Sequence, residues 1–399
     1  MPEWRKLQAL QDSLREGDAM KWADFTIEPY REDIRKREER IRVAGSFKEA
    51  DRIPVTFSIG GSYHCGRLGV SISDYYDNPE MQVEVQLQGI RWEYEHLRAD
   101  SCTRTSVGYE TGPIAEAVVF GAEIERPNGT SPRIVHKFAS IDEALAGLDF
   151  PPPAQNDRLK ELVSKSKRFE EAARKAGVRV GVNSMTAVTI HPPLSTLCSL
   201  LDPSVVYEEM MEQPEKVKKA LDICFAAYLA YPDPWVGEPP ADGVWLADDN
   251  CCFISADAFR EFEMPYYHRL VEKYRPREFF LHTDGPSNHL FPVMAEAGIN
   301  SMDVGGFSDL SVAVACMKGK VYISGGLNCK DFYGEGPMSP ETRRKALSAM
   351  RLAGPGGGFQ LAIGGETYVH TSPQGICELV KLVEERGKYP LDIQAGETD

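Results

Sequence analysis

Phe279-Phe280-Leu281 running into His282-Thr283-Asp284-Gly285 is the stretch that decides the fold. A short, continuous apolar run that stops at polar and glycine residues is the signature of a parallel strand buried on both faces. The same punctuation recurs three times downstream. Ser301-Met302 stops at Asp303-Val304-Gly305-Gly306, Val321-Tyr322-Ile323-Ser324 at Gly325-Gly326-Leu327-Asn328, and Phe359-Gln360-Leu361-Ala362-Ile363 at Gly364-Gly365-Glu366. Helix-like sequence separates the runs. Polar residues where such strands end are the usual place for chemistry in a barrel of alternating strands and helices.

Working back toward the N-terminus, four more runs read as strands: 55–59, 100–107, 178–182 and 243–247. Helices are expected over about 78–98, 156–176, 194–201, 203–232, 256–275 and 373–387. Asn78-Pro79-Glu80 marks a helix start, because Asn caps free N–H groups and Pro suits the first turn. Short β-type pieces at Val118-Val119-Phe120, Ile124-Glu125 and Ile134–Phe138, broken by Gly121 and Asn128-Gly129, predict a hairpin insertion between about 112 and 138. Residues 1–50 are charged and read as an N-terminal helical arm, leaving 51–399 as the catalytic domain. Eight strand-then-helix units predict an α/β fold, a (β/α)8 TIM barrel. An open doubly wound sheet is the alternative, but Gly60-Gly61-Ser62-Tyr63 is not the glycine-rich turn that such a sheet carries after its first strand.

Composition narrows the function classes. A net charge of −15 argues against a nucleic-acid surface. No run of 18 apolar residues offers a membrane span, and the polar start is no secretory signal. Nine cysteines without repeated spacing read as reduced thiols in a cytoplasmic protein. Cys198, Cys251 and Cys252 read as small buried hydrophobes, and Met210-Met211 as core.

Several tags together resemble the uroporphyrinogen decarboxylase superfamily. They are Ala247-Asp248-Asp249 with Ile254–Phe262 and Pro265, then His282-Thr283-Asp284-Gly285, Asp303, Gly325-Gly326-Leu327-Asn328, Gly364-Gly365-Glu366, His370–Pro373 and Gly387–Pro390. The resemblance spans roughly 51–392 and is densest in the last third. It implies a (β/α)8 barrel and one of two chemistries. Porphyrinogen decarboxylases carry an arginine-rich motif after the first strand. Here Ser58–Arg67 holds one arginine, too few to pair with a substrate bearing eight carboxylates. The other branch, corrinoid-dependent methyltransferases, moves methyl groups to the cobalt of a corrinoid protein. Its thiol-using members hold zinc with a His-x-Cys pair and a later Cys. This chain has Asp284 at the first cysteine position and Gly365-Glu366 near the second. The resemblance therefore implies a donor with an oxygen- or nitrogen-linked methyl group, such as a methoxylated aromatic, in an O-demethylase-like reaction.

Expected catalytic residues are His282, Asp284 and Asp248. His282 and Asp284 are two apart at a strand end and can face one side; the plainer alternative is a histidine held by a loop carboxylate. Of Asp248 and Asp249, at most one can face the mouth. Expected substrate contacts are Tyr63, His64, Asn183, Asp249, Asn328 and Glu366, with His191 nearby in sequence to the third strand. If a metal binds, zinc suits His282, Asp284, Glu366 and Cys329. The expected partners are a corrinoid protein that carries the cofactor, a small methyl donor and a second copy in a homodimer. A decarboxylase or lyase acting on a small aromatic acid, or a non-catalytic binding barrel, remains the alternative.

Overall fold

The computed structural model describes residues 25–112, 115–127, 129–152, 155–181, 187–230 and 243–398. Its strands in chain order are β1 (Val55–Ser58), β2 (Ser106–Val107), β3 (Glu123–Glu125), β4 (Arg133–Val135), β5 (Arg179–Val180), β6 (Ala187–Ile190), β7 (Gly243–Ala247), β8 (Glu278–His282), β9 (Ser301–Val304), β10 (Tyr322–Asn328) and β11 (Phe359–Glu366). Seven of them form one curled parallel sheet in the order β1-β11-β10-β9-β8-β7-β6. The first strand pairs with the last, which is the connection that rolls an alternating α/β chain into a TIM-type barrel.

The remaining wall departs from eight equal strands. The run 100–107 contributes only β2, which pairs in parallel with β5 as a separate two-stranded sheet. Side chains bridge β2's neighbourhood to β1 instead of a ladder. Asp100 accepts the Val55 N–H at 2.8 Å, and Ser101 Oγ accepts that of Phe57 at 3.1 Å. The Asp100 N–H donates to the Val55 carbonyl at 2.8 Å. β6 was not expected as a strand, because the prolines at 192 and 193 make Thr189–Pro193 read as a loop. Val118 and Val119 belong to a helix, Ala115–Val119, rather than to a β piece. The hairpin is present: β3 and β4 pair antiparallel.

Sheet faces follow the pleat. Val244, Leu246, Phe279 and Leu281 are fully buried against the outer helices. Alternate residues face the lumen: the Trp245 ring stacks on Phe280 at 3.9 Å, and Gln360 donates to Ser324 Oγ at 2.8 Å. Helix starts read as expected. Asn78 accepts from Glu80 and Met81 N–H groups ahead of Pro79, and Ser339-Pro340 and Ser372-Pro373 repeat the device. The helix Arg31–Gly45 lies under the barrel, tied by the Gly358 N–H to the Ala44 carbonyl and by Arg37 to the Cys102 carbonyl. Cys198, Cys251 and Cys252 are buried and Met210 is core, but Met211 is exposed. No helix among the described residues is long and apolar enough to cross a membrane.

Asp100 is fully buried and takes bonds from Arg52 at 2.6 and 3.1 Å and from Arg40 at 2.6 Å. Asp100→Ala strands both guanidinium groups without their shared carboxylate. We expect a loss of ~3–5 kcal/mol in denaturant unfolding, the scale of a broken buried ion pair; a change under ~1 kcal/mol would show that β1 does not depend on it.

Candidate active site

β8 and β7 run side by side, with Ala247 opposite His282. Their chains leave the sheet together at the C-terminal mouth. The Asp248 N–H donates to the His282 carbonyl at 2.9 Å, and the Asp284 N–H to Asp249 Oδ1 at 2.9 Å. These two bonds set His282, Asp284 and Asp249 around one point. His282 is 8% exposed. Its Nδ1 lies 2.7 Å from Asp303 Oδ2 at the end of β9. Its Nε2 makes no hydrogen bond; the nearest carboxylate oxygens are Asp284 Oδ1 at 3.7 Å and Asp249 Oδ1 at 4.0 Å. The imidazole stacks over Trp245 with centroids 5.8 Å apart.

Gly365 makes this crowding feasible. Its φ of +82° is a left-handed conformation, and a Cβ there would collide with Asp284 Oδ1. Its N–H points to Asp303 Oδ2 at 3.3 Å. Tyr368 closes the far side, its hydroxyl 3.5 Å from Asp284 Oδ2.

The electrostatics follow from the acids. Burial disfavours the imidazolium, but the bond and charge of Asp303, joined by Asp249 and Asp284, outweigh it and push the His282 pKa up to about 9. Asp284 is held above the usual carboxylate range by lost hydration and by Asp249 and Asp303, with His282 pulling the other way. Glu366 is raised too, by desolvation first and then by Asp284 and Asp249, again against His282. The surrounding acids thus favour the protonated imidazole.

Asp249, His282 and Asp284 each place a ligand atom within 4.8 Å of the others. One imidazole and two carboxylates suit zinc, and Asp303 on the far ring nitrogen is the outer partner that metal-bound histidines usually have. The residues present therefore fit a metal.

Other expected site residues fall elsewhere. Asp248 is fully buried and turned from the mouth, with Ser195 Oγ at 2.7 Å, Tyr267 Oη at 2.8 Å and the Cys251 N–H at 3.2 Å on its oxygens. The strand's phase gives the mouth to Asp249 instead. Tyr63 and His64 lie on a buried helix, Gly61–Leu68, not on a mouth loop. Arg67 Nε donates to His64 Nδ1 at 3.4 Å, so Nε2–H donates to Glu93 at 3.0 Å, and Arg104 shares that carboxylate at 2.6 Å. Burial, with Arg67 and Arg104, holds the His64 pKa down to about 4 despite Glu93. His64 is a neutral structural link. Asn328 uses its amide oxygen to cap the turn Cys329–Phe332, accepting from the Lys330 N–H at 2.8 Å. The Cys329 thiol bonds the same oxygen at 3.3 Å and stands outside the metal-type cluster, as does Glu366. Asn183 lies outside the described residues. His191 pairs with Glu116, Nδ1 to Oε2 at 3.0 Å. Sequence reading gave no role to Asp303, Trp245 or Tyr368; only Asp303 carried a signal, as a carboxylate at a strand end.

Comparison with known proteins agrees with the fold. Residues 36–386 match the model of the uroporphyrinogen decarboxylase (URO-D) family, and the chain belongs to that family. No curated protein sequence matches. Among solved structures, a methyltransferase from Methanosarcina mazei superposes with a TM-score of 0.64 at 18% identity, covering 88% of this chain and 98% of that one. A B12-independent methionine synthase from a Shewanella species reaches a TM-score of 0.39 at 10% identity, over 77% of this chain and 86% of its own. The first likeness shows a shared fold.

The raised pKa has a stability consequence. His282 binds its proton more tightly folded (about 9) than at its ordinary value of 6.5. Its contribution is complete below pH 6.5 and fades as pH rises through about 9. Asp303→Asn should bring the pKa, read by NMR titration of the ring protons, down by at least one unit and flatten the stability profile over that window. A titration unchanged in Asp303→Asn would remove Asp303 as the cause.

Proposed function

We propose that this member of the uroporphyrinogen decarboxylase family is a methyltransferase that takes a methyl group from an oxygen or nitrogen of a small molecule. The acceptor in this reading is the corrinoid of a partner protein. The observation that carries it is His282: a buried imidazole with Nδ1 bonded to Asp303 and Nε2 free of hydrogen bonds, aimed between Asp249 and Asp284. An ether or amine methyl is hard to displace because its leaving group is basic. A proton held at Nε2 can be offered to that heteroatom as the carbon–heteroatom bond breaks. Asp303 keeps the ring oriented and stabilises its charged form. Trp245 and Phe280 form an apolar floor that keeps water from the methyl group.

Zinc held by Asp249, His282 and Asp284 would polarise the same heteroatom as a Lewis acid in place of the proton. A reduced corrinoid would supply the nucleophile. Exposed aromatic residues stand beyond the ends of four strands: Phe253 after β7, Phe307 after β9, Tyr333 after β10 and Tyr368 after β11. Such a rim suits the apolar face of a flat macrocycle brought by a partner.

The acid-decarboxylating alternative finds less support. An anionic substrate needs cations, and the arginine nearest the first strand end is committed: Arg67 bonds His64 and the Gln88 carbonyl and covers Trp92. Among the described residues no Lys or Arg forms an ion pair with Asp249, Asp284 or Glu366.

His282→Ala should lower methyl transfer to cob(I)alamin by ~10²-fold or more, the scale of a lost acid or Lewis-acid contact, with the fold retained by circular dichroism. The wild-type rate should fall as pH rises through about 9, where His282 loses its proton. Full transfer by His282→Ala would take this residue out of the mechanism. Release of CO2 from an aromatic acid without cobalamin would establish the lyase instead.

A further inference from the structure

The mouth of the barrel has two properties that together select a ligand by charge. Asp249 and Asp284 are exposed carboxylates whose only charged partner among the described residues is the His282 imidazole, and among those residues Glu366 forms no ion pair. Glu366 ends β11 directly after Gly365, the residue that packs on Asp284. Below these carboxylates lies an aromatic surface: the Trp245 and Phe280 rings, stacked at 3.9 Å and half-buried in the lumen, with Tyr368 standing at the side against Asp284. His282 Nε2 opens into this space without a hydrogen bond, nine-tenths buried.

We propose that the methyl donor is a small N-methylated ammonium cation, held by the carboxylates of Asp249, Asp284 and Glu366 over the Trp245 and Phe280 rings. This rests on the methyl-transfer reading above and narrows its donor to one class. The reasoning is electrostatic. Carboxylates crowded at a mouth without lysine or arginine partners repel one another, and a cation relieves that repulsion. Methyl groups on a charged nitrogen are the kind of cation that aromatic faces bind well, because the positive charge is spread over apolar surface. A phenolate or benzoate would be repelled by the same carboxylates, and a neutral methyl ether would gain nothing from them. For the protonated amine, the N–CH3 bond breaks with its electron pair left on nitrogen. The demethylated amine is released neutral with its proton. The methyl carbon gains its new bond from the electron pair of the reduced corrinoid, and no other reductant or oxidant is consumed.

The test is a binding measurement that needs no corrinoid. Tetramethylammonium chloride, trimethylamine hydrochloride and the neutral ether methoxybenzene are titrated into the full chain by calorimetry after treatment with EDTA. Both ammonium ions should bind at least tenfold more tightly than the ether, and more weakly as salt is raised. Glu366→Gln and Asp284→Asn change exposed side chains, so the fold should persist by circular dichroism; each should weaken ammonium binding by fivefold or more. Trp245→Leu should weaken it as well. Methoxybenzene binding as tightly as the ammonium ions, no ammonium binding, or unchanged affinity in both carboxylate variants would overturn the proposal. A parallel assay with cob(I)alamin separates this from the broader reading. Demethylation of an ether in a protein that does not bind ammonium ions leaves methyl transfer standing and removes this donor class. Ammonium binding without demethylation of any amine or ether removes methyl transfer while the site remains.

Discussion

A buried carboxylate must be surrounded by donors, and in this barrel one such carboxylate holds the wall together. Asp100 gathers two guanidinium groups and the Val55 N–H at the place where a regular strand pair is missing between β1 and β2. A parallel ladder would satisfy those backbone groups residue by residue. Here a side chain does so, and the chain after Asp100 is freed to reach β5 before any ladder forms. β1 therefore keeps its place beside β11, at one edge of the seven-stranded sheet.

The same requirement works at the opposite end with the opposite outcome. Asp303 has one close partner, His282 Nδ1, and a weaker one in the Gly365 N–H. It is fixed, and it fixes the ring. Asp249, Asp284 and Glu366 are not neutralised in this way. Their mutual repulsion is tolerated because they meet solvent, and it is maintained by backbone that leaves no freedom to part: the Asp284 N–H is tied to Asp249, and Gly365 admits Asp284 where a side chain would not fit. Asp100 and Asp248 are saturated with donors, and the acids at the mouth are left short of them. That contrast separates Asp248 from Asp249 more clearly than their adjacent positions in the chain.

Beneath the helix Gly61–Leu68 a third polar group is fully enclosed. Glu93 joins His64 and Arg104, and the His64 ring is neutral because burial outweighs the carboxylate. In His282 the balance runs the other way, because three carboxylates share one ring. Two histidines of similar burial thus favour different protonation states, His64 neutral and His282 charged.

Much of the fold was written in local pattern. The apolar runs of β7 to β11, their polar ends and the Ser-Pro and Asn-Pro helix starts are set by residues close in sequence. Strand burial and capping depend on neighbours a few positions away. The pairing of His282 with Asp284 was legible for the same reason, since two residues apart on a strand share a side. What needed the tertiary structure was every choice made by distant partners. Asp303 becomes decisive only because β9 lies beside β8. The mouth falls to Asp249 rather than Asp248 because of the phase in which β7 enters the sheet, which no single strand reveals. Tyr63 and His64 looked like loop residues after a Gly-Gly turn. His64 is buried because Glu93, far along the chain, supplies the partner that lets a polar ring leave water, and Tyr63 is buried beside it with its hydroxyl unpaired among the described residues.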